Sequence, residues 1–204
     1  MKQQFVDGQA IACKKFDEMK AQIARMDIEP RMDIVVVGAD DAATQSFVSA
    51  KKNRAKTLGI SFVEHVFPTS ITTKELVKHI NAIDKEPGDG IVVQLPLPDK
   101  VNAEDVLNAI PITKDIDVLS REAFMLFVNG KSKFVPPVAG AVLAILSHYR
   151  ITTQNEHAVV LGRGRLVGEP VRIALEQSGC KVATIDSKAS LEDIKGAMRA
   201  ARII

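Results

Sequence analysis

Two periodicities alternate along this chain, and that alternation constrains the fold more than anything else in it. Short β-branched runs are separated by stretches whose apolar residues recur at helical spacing. Met32-Asp33-Ile34-Val35-Val36-Val37-Gly38 stops at glycine and reads as a buried parallel strand. Residues 60–67 and 90–95 fit two more strands. Residues 44–58 return to helical spacing and end at Gly59, a C-cap. Thr72-Thr73-Lys74-Glu75 offers a capping box for the next helix, and Asn102 can cap a short one at 103–109. Ahead of the first strand, Ile11, Phe16, Met19, Ile23 and Met26 predict an amphipathic helix over 10–26. Strand, helix, strand, helix, strand implies parallel βαβ units with right-handed crossovers.

The second half repeats the theme. A helix at 138–149 follows Pro136-Pro137, and Ala158-Val159-Val160-Leu161 then leads into Gly162-Arg163-Gly164-Arg165-Leu166-Val167-Gly168. A helix to residue 178, a strand at 181–185 ending on Asp186 and a helix at 190–200 complete it. This is the opening of a dinucleotide-binding domain. The sequence stops at Ile203-Ile204, inside the expected next strand, so half of a Rossmann sheet is expected to lie beyond it. The fold class is therefore α/β: an N-terminal parallel-sheet βαβ domain over 1–137 and an incomplete Rossmann-type dinucleotide-binding domain over 138–204.

Composition narrows the function classes. A net charge of +2, from 27 basic and 25 acidic side chains, gives no electrostatic footprint for nucleic acid or an acidic membrane. No apolar run approaches the roughly 20 residues that span a bilayer, and Met1 to Gly8 lacks the apolar core of a signal peptide. Two cysteines and four scattered histidines offer neither a disulfide framework nor metal-ligand spacing. The expectation is a cytoplasmic, metal-free protein.

The glycine turn follows a strand and opens a helix, where backbone N–H groups and the helix dipole would meet a pyrophosphate. A tight turn that binds nothing is the competing reading. Asp186 lies 24 positions after Gly162, about where dinucleotide folds place an acid on the adenosine ribose hydroxyls. A carboxylate there repels a 2′-phosphate, whereas Arg163, Arg165 and Ser187 could hold one.

Four stretches in register carry a family likeness. They are Val37 to Lys52, Asp89-Gly90-Ile91-Val92-Val93-Gln94-Leu95-Pro96-Leu97-Pro98, Lys114-Asp115-Ile116-Asp117, and Gly162-Arg163 with Leu166-Val167-Gly168-Glu169-Pro170. Together they resemble the bifunctional methylenetetrahydrofolate dehydrogenase/methenyltetrahydrofolate cyclohydrolase family over essentially the whole chain. The resemblance implies an enzyme of one-carbon metabolism. It would oxidise 5,10-methylenetetrahydrofolate with NAD(P) and hydrolyse the methenyl product to 10-formyltetrahydrofolate. It makes Lys51 and Gln94 catalytic, Lys51 as acid–base and Gln94 as the group orienting its amine. Phe47, Gln94, Leu95, Pro96 and Asp117 would contact folate, Asp117 accepting from the 2-amino group and N3–H of the pterin. Gly162, Arg163, Gly164, Val167, Asp186 and Ser187 would hold the dinucleotide, by family expectation NADP, with NAD left open by Asp186. Tetrahydrofolate derivatives are the implied partners, and the resemblance suggests a homodimer through the second domain.

The chain departs from the family pattern at several points. Phe47 replaces a tyrosine, Val118 the glycine after the second aspartate, Gly164 the serine of G-R-S, and Asp186 a histidine. Pro137-Val138-Ala139-Gly140 replaces a T-P-x-G turn, and a late P-G-G-V-G-P-M-T segment is not in this sequence. Phe47 keeps the ring but removes a hydroxyl beside Lys51, which puts the cyclohydrolase step in question ahead of the dehydrogenase step. A non-catalytic folate- or nucleotide-binding paralogue is the alternative. A dehydrogenase of another two-domain type would leave the Gln-Leu-Pro-Leu-Pro run unexplained.

Overall fold

The computed structural model describes residues 6–38 and 42–204. Met1–Phe5 of the N-terminal stretch and Ala39–Asp41 of the first motif lie outside the described residues. The chain divides into two compact units: residues 13–134, and residues 135–204 together with residues 1–12. The expected boundary lay after residue 137. The units part three residues earlier, since Pro137 is already the first residue of a helix in the second unit.

Helix α1 (Gly8–Ile23) begins after Asp7, whose Oδ1 accepts from the Ala10 N–H at 2.9 Å. It is less amphipathic than its spacing predicts, because Ile11 alone among its residues is buried. Phe16 instead lies under the Arg54 guanidinium, 4.8 Å from the ring centre.

The unit at 13–134 is built on three parallel strands in the order β2-β1-β3: β1 (Arg31–Val37), β2 (Ser61–Phe67) and β3 (Gly90–Val93). Helix α2 (Ala42–Leu58) covers one face, packing Val48 on Ile34, Val36 and Val92. Helices α3 (Thr73–Ile83) and α4 (Ala103–Asn108) cover the other, around Val35, Val37, Ile91 and Val93. Alternate residues of β1 thus serve both faces, as a strand buried on each side requires. The capping box at Thr72/Glu75 and the Asn102 cap form as the sequence predicts. Gly59 takes a φ of 75° where α2 ends, a conformation that glycine adopts without cost.

Two local outcomes differ from expectation. Strand β3 ends at Val93, so Gln94 and Leu95 leave the ladder, although the Gln94 N–H still reaches the Val35 carbonyl at 2.9 Å. Helix α5 (Arg121–Val128), capped by the Ser120 hydroxyl, was not anticipated. One charge is buried in the sheet. Asp33, only 1% exposed, receives Arg31 through two nitrogens at 3.1 and 2.8 Å and meets His65 Nε2 at 2.8 Å. That pairing also lifts the Arg31 pKa, its hydrogen bond to Asp33 being the main cause.

The other unit holds α6 (Pro137–His148), β4 (His157–Leu161), α7 (Gly168–Gln177), β5 (Lys181–Ile185) and α8 (Leu191–Ala200). Strands β4 and β5 are parallel, with Ala158 opposite Val182. On its other edge Ala158 meets Ile203 in a further parallel bridge, so the chain's last residues enter the sheet as expected. Among the described residues no helix is long and apolar enough to cross a membrane.

Candidate functional site

Helix α2 supplies the first two residues of the candidate site. Phe47 and Lys51 stand four apart, hence on one side of the helix. The Phe47 ring is 63% exposed, while Lys51 is half-buried. Lys51 Nζ donates to Gln94 Oε1 at 3.0 Å. Gln94 Nε2 donates in turn to the Leu95 carbonyl at 2.8 Å. Both ends of the amide are therefore occupied, and the orientation that turns its oxygen to the ammonium is the one satisfying both bonds. Leu95 packs partly against the core, and Pro96, joined to it by a cis peptide, is exposed.

Asp117 arrives by a different device. The Ile91 N–H donates to the Lys114 carbonyl at 2.8 Å and Ile91 bridges Asp115 in parallel, which prolongs the sheet past β3. Asp115, with 0% exposure, accepts from the N–H groups of Leu119 at 3.1 Å and Ser120 at 2.7 Å. These bonds close the chain into a loop with Asp117 inside it. Val118 holds the loop at a φ of 56°, a left-handed conformation that strains a β-branched residue by about 1–3 kcal/mol. Burial pushes the half-buried Asp117 carboxyl above the usual range. The Lys51 charge pulls it back and the Asp115 charge pushes it up again.

Asp115 is the residue that the sequence reading passed over in favour of Asp117. An acid four and five positions ahead of the N–H groups opening a helical segment is the signal that could have revealed it. The resulting arrangement offers an exposed ring for stacking, a carboxylate for paired N–H donors, and an amine oriented by an amide oxygen. A separate cavity of about 340 Å³, lined by Thr44, Ser49, Lys52 and Glu64 among others, borders the neighbouring face of α2 and contains none of these site residues. Lys52 there pairs with Glu64 at 3.4 Å.

The glycine turn forms a second constellation, within the other unit. Gly162 has a φ of 96°, and its N–H donates to the Ile185 carbonyl at 2.7 Å. A Cβ on Gly162 or Gly164 would face open space, whereas one on Gly168 would meet the Gly162 carbonyl oxygen at 2.3 Å. The turn is thus pressed against the start of α7 and open on its other side. Helix α7 has no side-chain cap, and Val167 beside it is exposed. Arg163 Nε lies 3.8 Å from Asp186 Oδ2, and Asp186 Oδ1 accepts from the Lys188 N–H at 2.9 Å. Ser187 is exposed. Glu169, in the first turn of α7, is held below the usual carboxylate range chiefly by its hydrogen bonds to Arg172, with the Arg163 charge adding to the effect.

The structure thus brings Lys51 and Gln94 into direct contact, with Asp117 within their electrostatic reach. It gathers Gly162, Arg163, Gly164 and Val167 in one turn, with Asp186 against Arg163.

Residues 6–117 match the family model described as tetrahydrofolate dehydrogenase/cyclohydrolase, catalytic domain, and residues 136–204 match that family's NAD(P)-binding domain. The bifunctional protein FolD of Bdellovibrio bacteriovorus is 35% identical over 162 residues, 79% of this chain. The match spans 56% of that relative's length. A crystal structure of the bifunctional enzyme FolD, a methylenetetrahydrofolate dehydrogenase/cyclohydrolase from Campylobacter jejuni, superimposes with a TM-score of 0.92 at 28% identity, covering 98% of this chain and 72% of that one. The Trypanosoma brucei methylenetetrahydrofolate dehydrogenase-cyclohydrolase, complexed with NADP cofactor and inhibitor, gives a TM-score of 0.85 at 26% identity, covering 97% of this chain and 68% of that one.

Proposed function

This chain belongs to the tetrahydrofolate dehydrogenase/cyclohydrolase family, and from that premise we propose that it oxidises 5,10-methylenetetrahydrofolate and hydrolyses the methenyl product to 10-formyltetrahydrofolate. The hydrogen bond from Lys51 to Gln94 is the observation that carries the proposal. In it the residues of two separate motifs meet, and neither motif alone would demand it.

The proposed division of labour follows from the contacts. Asp117 recognises the pterin through two N–H donors, and Phe47 stacks on the ligand. Leu95 and Pro96 shape the wall beside them. Lys51, held by Gln94, handles protons as water adds to the methenyl carbon, the bond from that carbon to N5 breaks, and the formyl group stays on N10. Phe47 carries no hydroxyl, so proton handling falls to Lys51, with Gln94 orienting its amine.

The other unit fits a dinucleotide. Open space over Gly162 and Gly164, with Gly168 pressed beneath the turn, allows a pyrophosphate to lie across the backbone at the start of α7. Gly162, Arg163, Gly164 and Val167 would hold it, with Asp186 and Ser187 toward the adenosine ribose. A bound dinucleotide would supply the acceptor for the hydride that leaves the methylene carbon. We read the functional domains as 1–137 for folate and 138–204 for the dinucleotide.

The resemblance supports a cytoplasmic homodimer joined through its second unit. The near-neutral charge gives no electrostatic footprint for nucleic acid or an acidic membrane. Methenyl formation, followed by absorbance with methylenetetrahydrofolate and saturating NAD or NADP, tests the central reading. No change with either dinucleotide would overturn it.

A further inference from the structure

We infer that this chain selects NAD over NADP, and that the pairing of Arg163 with Asp186 makes the selection. The inference rests on reading residues 136–204 as a dinucleotide site and goes beyond it by naming which dinucleotide.

A 2′-phosphate needs a cation whose charge is not already committed, since it brings a charge of about −1.5 to −2 into the site. Arg163 is the turn's own candidate. It is engaged by Asp186 at 3.8 Å and also feels the ionised Glu169, so two carboxylates already share its charge. Asp186 is itself fixed: its second oxygen takes the Lys188 N–H at 2.9 Å, within a turn that the Ala189 N–H closes on the Asp186 carbonyl at 3.2 Å. The carboxylate is therefore held at the end of β5, where a dinucleotide fold presents an acid to the ribose hydroxyls. Two vicinal hydroxyls donate to such a carboxylate. A phosphate ester in place of one removes a donor and sets two anions against each other. Arg165, Ser187 and Lys188 are the neighbouring residues whose contact with a 2′-phosphate would reverse the outcome.

Titration calorimetry on the purified protein decides the matter without requiring turnover. NAD⁺ is expected to bind at least about ten-fold more tightly than NADP⁺, a difference typical of one uncompensated exposed charge contact. Asp186→Ser should tighten NADP⁺ by about ten-fold and weaken NAD⁺, since it releases Arg163 and removes the ribose acceptor. Arg163→Ala added to Asp186→Ser should cancel the gain in NADP⁺ affinity that Asp186→Ser alone produces. Both side chains are exposed, so the variants should keep the wild-type melting temperature within a few degrees. Equal or tighter NADP⁺ binding by the wild type, or a preference unmoved by Asp186→Ser, overturns the inference and leaves the dinucleotide reading standing. Failure of both dinucleotides to bind removes the two together.

Discussion

The two constellations are built by opposite means. Around Lys51 the working groups are side chains drawn from three places in the sequence, and buried contacts hold them. Gln94 is tied to its own backbone, and Asp115 pulls the loop of Asp117 into shape from a position with no exposure at all. Around Gly162 the working surface is the backbone itself, kept bare by glycine, while Arg163 and Asp186 stand in solvent at its rim. A site of positioned side chains should fail one function at a time. A bare turn should fail as a whole when any atom intrudes, yet tolerate changes at its rim that only re-tune what binds.

The largest expected effect breaks the first site. Lys51→Met should lower cyclohydrolase turnover by about 10²–10⁴-fold, the range for a lost general acid–base group, with dinucleotide affinity unchanged. Methenyl decay and calorimetry measure the two separately, and retained hydrolysis would show that Lys51 is not the proton carrier. Next, Gly168→Ala places a Cβ 2.3 Å from the Gly162 carbonyl oxygen, so the turn must move. We expect a loss of dinucleotide affinity by ten-fold or more and about 1–3 kcal/mol of stability, with folate affinity intact. Coupled losses of both ligands would end the contrast between the sites.

Asp117→Asn should have a smaller and two-sided effect. Burial raises the Asp117 pKa in the fold, so its contribution to stability is fully present below about pH 4 and is lost as pH rises through the folded value. The Asn variant should therefore melt higher than wild type at pH 7–8, converge with it in acid, and bind folate more weakly. A lower melting temperature at pH 8 would mean that the carboxylate stabilises the loop. In the wild type, folate affinity should begin to fall at a higher pH than an ordinary carboxylate would dictate.

Val118→Gly should do least. It relieves strain of about 1–3 kcal/mol but gives up a buried side chain worth about 1.5–3 kcal/mol and adds roughly 0.5–1 kcal/mol of backbone freedom to the unfolded chain. These nearly cancel, and denaturant unfolding should register a change of about 1 kcal/mol or less.

The contrast also explains what could be read ahead of the structure. A bare turn between strand and helix announces itself locally, because glycine spacing, the preceding Val159-Val160-Leu161 run and the following helical period are contiguous. The alternation of parallel strands and helices, the Thr72/Glu75 box and the Asn102 cap were legible for the same reason. Helix α5 was not. Its start depends on the loop that Asp115 organises, through contacts whose partners lie across a turn that no periodicity reports. The burial of Asp33 was equally hidden, since His65, which meets its carboxylate, comes from another strand. At the proposed folate site, the residue types could be read from motif likeness. That the Gln94 oxygen faces Lys51 could not, because it depends on where a short strand stops.

The strand order has one more consequence. In the first unit the chain steps outward from β1 to β2 and then returns past β1 to β3, carrying α2 over one face and α3 over the other. Winding that reverses in this way leaves a gap at the carboxyl end of the strand where it turns, since the two connections diverge and neither closes over it. Lys51 and Gln94 come from the two sides of that divergence. The second unit reverses about β4, with β5 on one edge and Ile203 on the other, and Gly162 stands where its divergence opens. The place proposed for each ligand thus follows from how the chain is wound. The side chains decide only which molecule the gap accepts.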